Sequence, residues 1–291
     1  LFRSGTIVQY RDYGTTGQKL SIIAFAGIVV KEESAKDSSR YVSWAIDQGI
    51  NYFDVAPGYG NAQNMLGPAL GHYRSDVFLA CKTKYRTGLE ARADLENSLK
   101  LLRTDHFDLY QMHAMTTEED LEVTTGPGGA LEVIAKARDE GLVKHIGFSV
   151  HSAELAVELM GRFEFDSVLF PVNFTTWFEA GFGPQIMDEA EKRGVARMAL
   201  KGAAHHNLKE GDNRLREKCW YVPIEDRDLM KLALRWTLSQ PITAAIPPGD
   251  PELWQMAVEV AQDFTPITPD EEAILRNEAK GRMPLFELTH A

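Results

Sequence analysis

Hydrophobic and polar positions along this chain follow two rhythms in turn. Short apolar, β-branched runs recur at 20–30 (LSIIAFAGIVV), 52–57 (YFDVAP), 77–83 (VFLACKT), 107–114 (FDLYQMHA), 143–150 (VKHIGFSV), 167–174 (SVLFPVNF), 194–202 (GVARMALKG) and 242–248 (ITAAIPP). Each reads as a buried strand. Between them lie segments such as SSRYVSWAIDQG, LENSLKLLRT, ALEVIAKARDEG, AELAVELMGRF, QIMDEAEKRG and RDLMKLALRWTLSQ, whose apolar residues fall three and four apart, as in an amphipathic helix. Strand-helix repetition implies parallel strands joined by right-handed crossovers, and eight such units close into an α/β fold of the (β/α)8 TIM-barrel kind. An open doubly wound sheet is the competing architecture. It is disfavoured because AFAGIVVKEES offers one glycine where a G-x-G-x-x-G turn needs three. The stretch TIVQYRDYGTTGQKLS, with its TTGQ turn, reads as a β-hairpin preceding the barrel and closing its bottom. No linker or low-complexity tract interrupts the pattern, so residues 1–291 are expected to form a single domain.

Connection lengths predict the working face. Helix-to-strand joints are short (QGIN, EGLVK, RGVA, SQPIT), whereas two strand-to-helix joints are long: AMTTEEDLEVTTGPGG after strand four and AAHHNLKEGDNRLREKCWYVPIED after strand seven. Loops of more than about 12–15 residues in a compact domain are usually lids or binding loops. Both leave C-terminal strand ends, where barrel enzymes place their sites.

Composition narrows the partners. The formal net charge is −11, which repels a polyphosphate backbone, so nucleic acid is not an expected partner. The two cysteines, Cys81 and Cys219, lie far apart, which indicates neither a disulfide framework nor a zinc site and fits a cytoplasmic setting. No apolar run approaches the roughly 18 residues of a membrane span, and LFRSGTIVQY lacks a signal-peptide pattern. No membrane partner is expected.

Four polar side chains then converge on one rim: Asp54 near the end of strand two, Tyr59 in the turn after it, Lys82 ending strand three and His113 ending strand four. An aspartate beside a lysine makes an ion pair, and the lysine's charge favours phenolate, so the tyrosine is expected to titrate below its usual value of about 10, toward neutrality. A histidine beside them can hydrogen-bond a carbonyl oxygen. Such a site delivers a proton to an alkoxide, so its second reagent is a hydride donor. The Asp-Lys pair also has a structural reading, as a buried ion pair.

With these motifs the chain resembles the aldo-keto reductase superfamily, in its bacterial-type branch, along almost its whole length. GINYFDVAPGYGNAQNMLGPAL, VFLACKT and FDLYQMHA look like that family's segments for strands two, three and four. The resemblance implies a catalytic tetrad of Tyr59 as proton donor, Lys82 and Asp54 as its tuning pair and His113 as carbonyl-orienting group. It implies NADPH or NADH across the barrel mouth, direct hydride transfer without a metal, and a small carbonyl or alcohol substrate. Ser149 matches the residue that holds the nicotinamide amide, and Gly27, Asn173, Lys201 and Gly249 fall in segments lining the cofactor groove. The family's cations for a 2′-phosphate are replaced here by a stretch carrying Asp250, Glu252 and Glu259, which predicts usable NADH unless Lys201, Lys209, Arg214 or Arg216 folds over it.

Several positions depart from the family or admit a plainer reading. Val150 and His151 follow Ser149 where Asn is common, and Gln63 or Asn64 stands where Glu is common, read as a structural change at a helix start. His205 and His206 read as surface loop, TTEEDLE as a solvated face and Cys81 as a core residue on the opposite strand face. Trp177 and Tyr85 are equally candidates for pocket wall or packing. Competing functions are a Schiff-base enzyme using Lys82, a metal hydrolase using His113, His151 and Asp54, and a cofactor-binding regulatory subunit with little turnover. Substrate identity, reaction direction and oligomeric state are not legible.

Overall fold

The computed structural model describes residues 7–288 apart from 210, 212, 213 and 215. A hairpin of β1 (Tyr10–Asp12) and β2 (Lys19–Ser21) comes first, followed by the staves β3 (Phe25–Ala26), β4 (Tyr52–Asp54), β5 (Phe78–Thr83), β6 (Phe107–Met115), β7 (Val143–Val150), β8 (Ser167–Pro171) and β9 (Ala196–Leu200). A small antiparallel pair, β10 (Ala204–His206) with β11 (Val222–Pro223), precedes the last stave, β12 (Ala244–Ile246). The eight staves form one sheet in sequence order, parallel throughout. Its first and last members meet where Ala24 N donates to Ala245 O and Ala245 N donates to Ile22 O, at 3.0 and 2.9 Å. The expected barrel is therefore present and closed.

The helices are α1 (Ala35–Asp47), α2 (Ala62–Leu70), α3 (Gly88–Leu102), α4 (Glu118–Thr125), α5 (Ala130–Asp139), α6 (Ala153–Arg162), α7 (Phe174–Ala180), α8 (Pro184–Arg193), α9 (Arg227–Ser239), α10 (Pro251–Gln262) and α11 (Pro269–Ala279). Side-chain caps start several of them: Ser34, Ser152, Asp226 and Asp250 each accept from a backbone N–H of the first turn. Outward faces of the staves meet this ring. Phe25 stacks on Phe53 at 4.9 Å between centroids and takes the edge of Trp254 of α10 at 5.0 Å. Among the described residues no helix is long and apolar enough to cross a membrane.

The hairpin closes the bottom as expected. Tyr13 is fully buried there, its hydroxyl bonded to Ser167 Oγ at 2.9 Å and its ring edge-on to Phe78 and His145. Thr6, the first residue of the predicted hairpin stretch, lies outside the described residues. Two expectations need correction. The run 20–30 is three things: the end of β2, the two-residue β3 and a 3-10 turn at Gly27–Val30. The loop after strand four holds α4, started by a capping box between Thr117 and Asp120.

Candidate active site

Strand alternation brings Asp54, Lys82, Ser149, Leu169 and Leu200 into one layer at the C-terminal mouth, lining a cavity of about 290 Å³ with Tyr59 and His113. Cys81, one residue before Lys82, faces away and touches Gln63 of α2 at 3.4 Å. Gln63 also donates to Ser98 Oγ at 2.9 Å and is buried, which bears out its reading as structural.

Asp54 and Lys82 form an ion pair with both residues 1% exposed. Asp54 accepts two further hydrogen bonds, from Gln111 Nε2 at 3.0 Å and from the Tyr52 hydroxyl at 3.2 Å. Sequence reasoning passed over both partners, although each lies two residues before a singled-out position on its own strand. Burial opposes the Lys82 ammonium, but Asp54 and Tyr59 outweigh it and raise its pKa, so it is charged at any working pH. That ammonium lies 5.7 Å from the centroid of the Tyr59 ring.

Tyr59 departs from its expected titration. Burial raises its pKa, and Lys82 only partly offsets this while Asp54 adds to it. The group at the mouth is therefore a phenol, not a phenolate, at neutral pH.

His113 owes its position to a bulge. Met112 pairs with Phe148 and Met115 with Val150, so β6 spends one residue more than β7 across this step. Ala114 takes φ +53°, and its N–H donates to Ser149 Oγ at 2.7 Å. Arg86 Nη2 binds the carbonyls of His113 and Ala114 at 2.9 and 3.1 Å, and Arg86 Nε binds Asp120 of α4 at 2.7 Å. Nothing in the sequence marks Arg86 for this task. Burial, followed by Lys82, Lys84, His151 and Arg86, pushes the His113 pKa down to about 2. The ring is neutral, stands edge-on to Tyr59 at 6.2 Å, and leaves a buried Nδ1 without a partner among the described residues.

Between β10 and β11 the described residues Lys218, Trp220 and Tyr221 form a strap that lines the mouth. Lys218 Nζ donates to Val29 O at 2.7 Å and to Glu33 at 2.6 Å. Arg216 reaches Glu225, Glu252 and Asp250, and Glu259 pairs with Arg227. Arg216 is thus the loop cation that folds over the acidic stretch, and Arg214 is turned back onto Cys219 O. Lys201 lines the cavity.

Gly27 and Gly249 line the cavity too, but packing explains them. A Cβ on Gly27 would come within 2.7 Å of Val55 Cβ, and one on Gly249 would strike Ile28. Asn173 is not on the cavity wall. Its amide nitrogen donates to Lys201 O and Ala204 O at 3.1 and 2.5 Å, and its oxygen accepts from Thr176 N at 3.0 Å as the cap of α7. Both donors of that amide and one lone pair of its oxygen are taken by the protein itself. Trp177 packs on Trp236 and Tyr85 is exposed, so neither makes the wall. Trp220 and Tyr221 of the strap do, with His151, which stacks on Phe286 at 4.4 Å.

Two outer expectations can be placed. His205 lies in β10, half-buried, and bonds Glu278 of α11 at 2.9 Å rather than standing in a surface loop. The acidic run is exposed except for Asp120 and Leu121. Among the described residues, no three His, Cys, Asp or Glu side chains are grouped to hold a metal.

Residues 25–256 match the aldo/keto reductase family. The chain belongs to this family of NAD(P)H-dependent oxidoreductases acting between carbonyls and alcohols. It is 33% identical to aldo-keto reductase YhdN of Bacillus subtilis over 166 residues, a match spanning 50% of this chain and 48% of that one. Against the uncharacterized oxidoreductase YqkF of the same organism identity is 23%, across 93% and 96% of the two chains. The solved structure of aldo-keto reductase AKR11C1 from Bacillus halodurans, in its holo form, superposes with a TM-score of 0.72 at 20% identity, covering 96% of this chain and 98% of that one.

Proposed function

We propose that this chain reduces a small aldehyde or ketone with NADH or NADPH, or runs the reverse oxidation, with Tyr59 as the general acid and base. The observation that carries the reading is the buried Lys82–Asp54 pair set beneath a protonated Tyr59 and beside a neutral His113. The residues present suit a nicotinamide. His113 has an unpartnered ring nitrogen among the described residues, Ser149 keeps its hydroxyl proton after accepting from Ala114, and both line the cavity. When bound, the reduced nicotinamide supplies a hydride.

A neutral His113 with hydrogen on the ring nitrogen facing the cavity donates to the carbonyl oxygen and fixes its direction. As negative charge grows there, Tyr59 O–H gives its proton to that oxygen, and the Lys82 ammonium stabilises the phenolate left behind. Asp54 keeps the ammonium in place; Tyr52 and Gln111 keep Asp54 in place. Arg216, the strap cation that reaches the acidic stretch, is held there by three acidic residues, which favours a site where NADH is usable.

The test follows nucleotide absorbance at 340 nm with a panel of carbonyls and both nucleotides. Tyr59→Phe should bind nucleotide like the wild type and lose about two to four orders of magnitude in kcat. Wild-type turnover in that variant removes Tyr59 from the role.

A further inference from the structure

Lys201 follows β9 with φ +64°, a left-handed conformation that L-residues adopt at a cost, and its side chain lines the cavity. Its ammonium lies 5.0 Å from the centroid of Trp220 and 4.9 Å from that of Tyr221. Aromatic faces hold a cation without neutralising it. Among the described residues no carboxylate or other acceptor lies in bonding range of this ammonium.

The other buried cations here are matched: Lys82 by Asp54 and Lys218 by Glu33. Burial pushes the Lys201 pKa down to about 8, with Cys219 opposing the shift and Lys82 adding to it, so the side chain is still mainly charged at pH 7. A partly desolvated, unmatched charge is costly unless a ligand answers it. On a chain of net charge −11, the mouth of the barrel is a local reversal of sign.

We propose that Lys201, seated on Trp220 and Tyr221, receives an anionic group of the substrate, so that the carbonyl compounds this site prefers carry a carboxylate. The proposal rests on the reductase reading given above, and the flat walls of the strap suit a planar substrate body. A phosphate of the nucleotide is the other source of the same chemistry.

The experiment compares 4-carboxybenzaldehyde with its methyl ester at saturating nucleotide, in the wild type, Lys201→Met and Lys201→Arg, each checked for folding by thermal melting. Nucleotide affinity is measured separately by calorimetry. Wild type should favour the acid over the ester in kcat/KM by about tenfold or more, the worth of one charge-assisted hydrogen bond. In Lys201→Met the ratio should fall toward one through KM, and Lys201→Arg should restore most of it. A ratio that survives in Lys201→Met overturns the proposal. So does a ratio that stays put while nucleotide affinity drops about tenfold, which assigns the anion to the cofactor. If neither aldehyde turns over with either nucleotide, the reductase reading fails by itself. Calorimetry with 4-(hydroxymethyl)benzoate then decides the anion site: weaker binding to Lys201→Met supports it, and equal binding overturns it.

Discussion

Replacing Lys82 by Met keeps an unbranched side chain in place and removes one charge from the interior. Asp54, 1% exposed, is left as a buried carboxylate without its cation. Breaking a buried pair from one side costs about 3–5 kcal/mol. The remaining donors, Gln111 at 3.0 Å and Tyr52 at 3.2 Å, still satisfy the carboxylate and place the loss near the lower end, about 3 kcal/mol. Asp54→Asn strands the ammonium instead, while an amide oxygen can still accept from both neighbours. The double variant lacks both charges and should be less destabilised than the sum of the singles by at least about 2 kcal/mol. Urea titrations followed in parallel by circular dichroism and tryptophan fluorescence give each midpoint. A coupling energy below about 0.5 kcal/mol would refute the argument, because it would mean that the two charges are screened from each other and the site is wetter than described.

The remaining predictions concern the bulge and the histidines. Arg86→Met should lower kcat about ten- to a hundredfold while leaving nucleotide affinity close to wild type, because the carbonyls of His113 and Ala114 lose their clamp and the ring drifts from the carbonyl; wild-type kcat would remove Arg86 from the positioning role. His113 and His151 are held down at about 2 and about 4 by burial, below the ordinary 6.5. The unfolded chain therefore binds protons first as pH falls below about 6.5: their contribution is whole above that value and is lost on the acid side, by up to about 1.4 kcal/mol per pH unit for each. His151→Asn should show a shallower decline in urea midpoint between pH 7 and 5 than the wild type, and parallel curves would exclude the effect.

The staves and their order were legible because the two hydrophobic periods differ plainly, and the meeting of Asp54, Tyr59, Lys82 and His113 at one mouth followed from strand ends. What escaped has physical causes. The continuous apolar run 20–30 contains no break that separates hairpin, stave and 3-10 turn, since all three are buried. Helix α4 buries only Leu121 and Thr124 and so has no apolar stripe to read. Tyr52 and Gln111 were recoverable from period two alone, by stepping back from Asp54 and His113. Trp220 and Tyr221 were not, because they reach the mouth only through the pairing of β10 with β11. The direction of the Tyr59 shift was misread for a related reason: a sequence names the charged neighbours of a group but not how much water it loses. Asn173 looked like a free amide, and only the fold shows that its nitrogen is spent on Lys201 O and Ala204 O while its oxygen caps α7.

The seam between β3 and β12 has a consequence for the making of the molecule. Tyr59, Lys82 and His113 arise from neighbouring staves early in the chain, and a growing polypeptide holds all three long before Ala245 exists. Their layer is nevertheless walled by Leu169, Leu200 and Ile246, and the cylinder shuts only when Ala245 meets Ile22 and Ala24 across more than two-thirds of the sequence. Closing so large a loop is entropically expensive and comes late. A chain that stops short of Ala245 thus holds Asp54, Tyr59, Lys82 and His113 but lacks the seam that closes the cylinder around them.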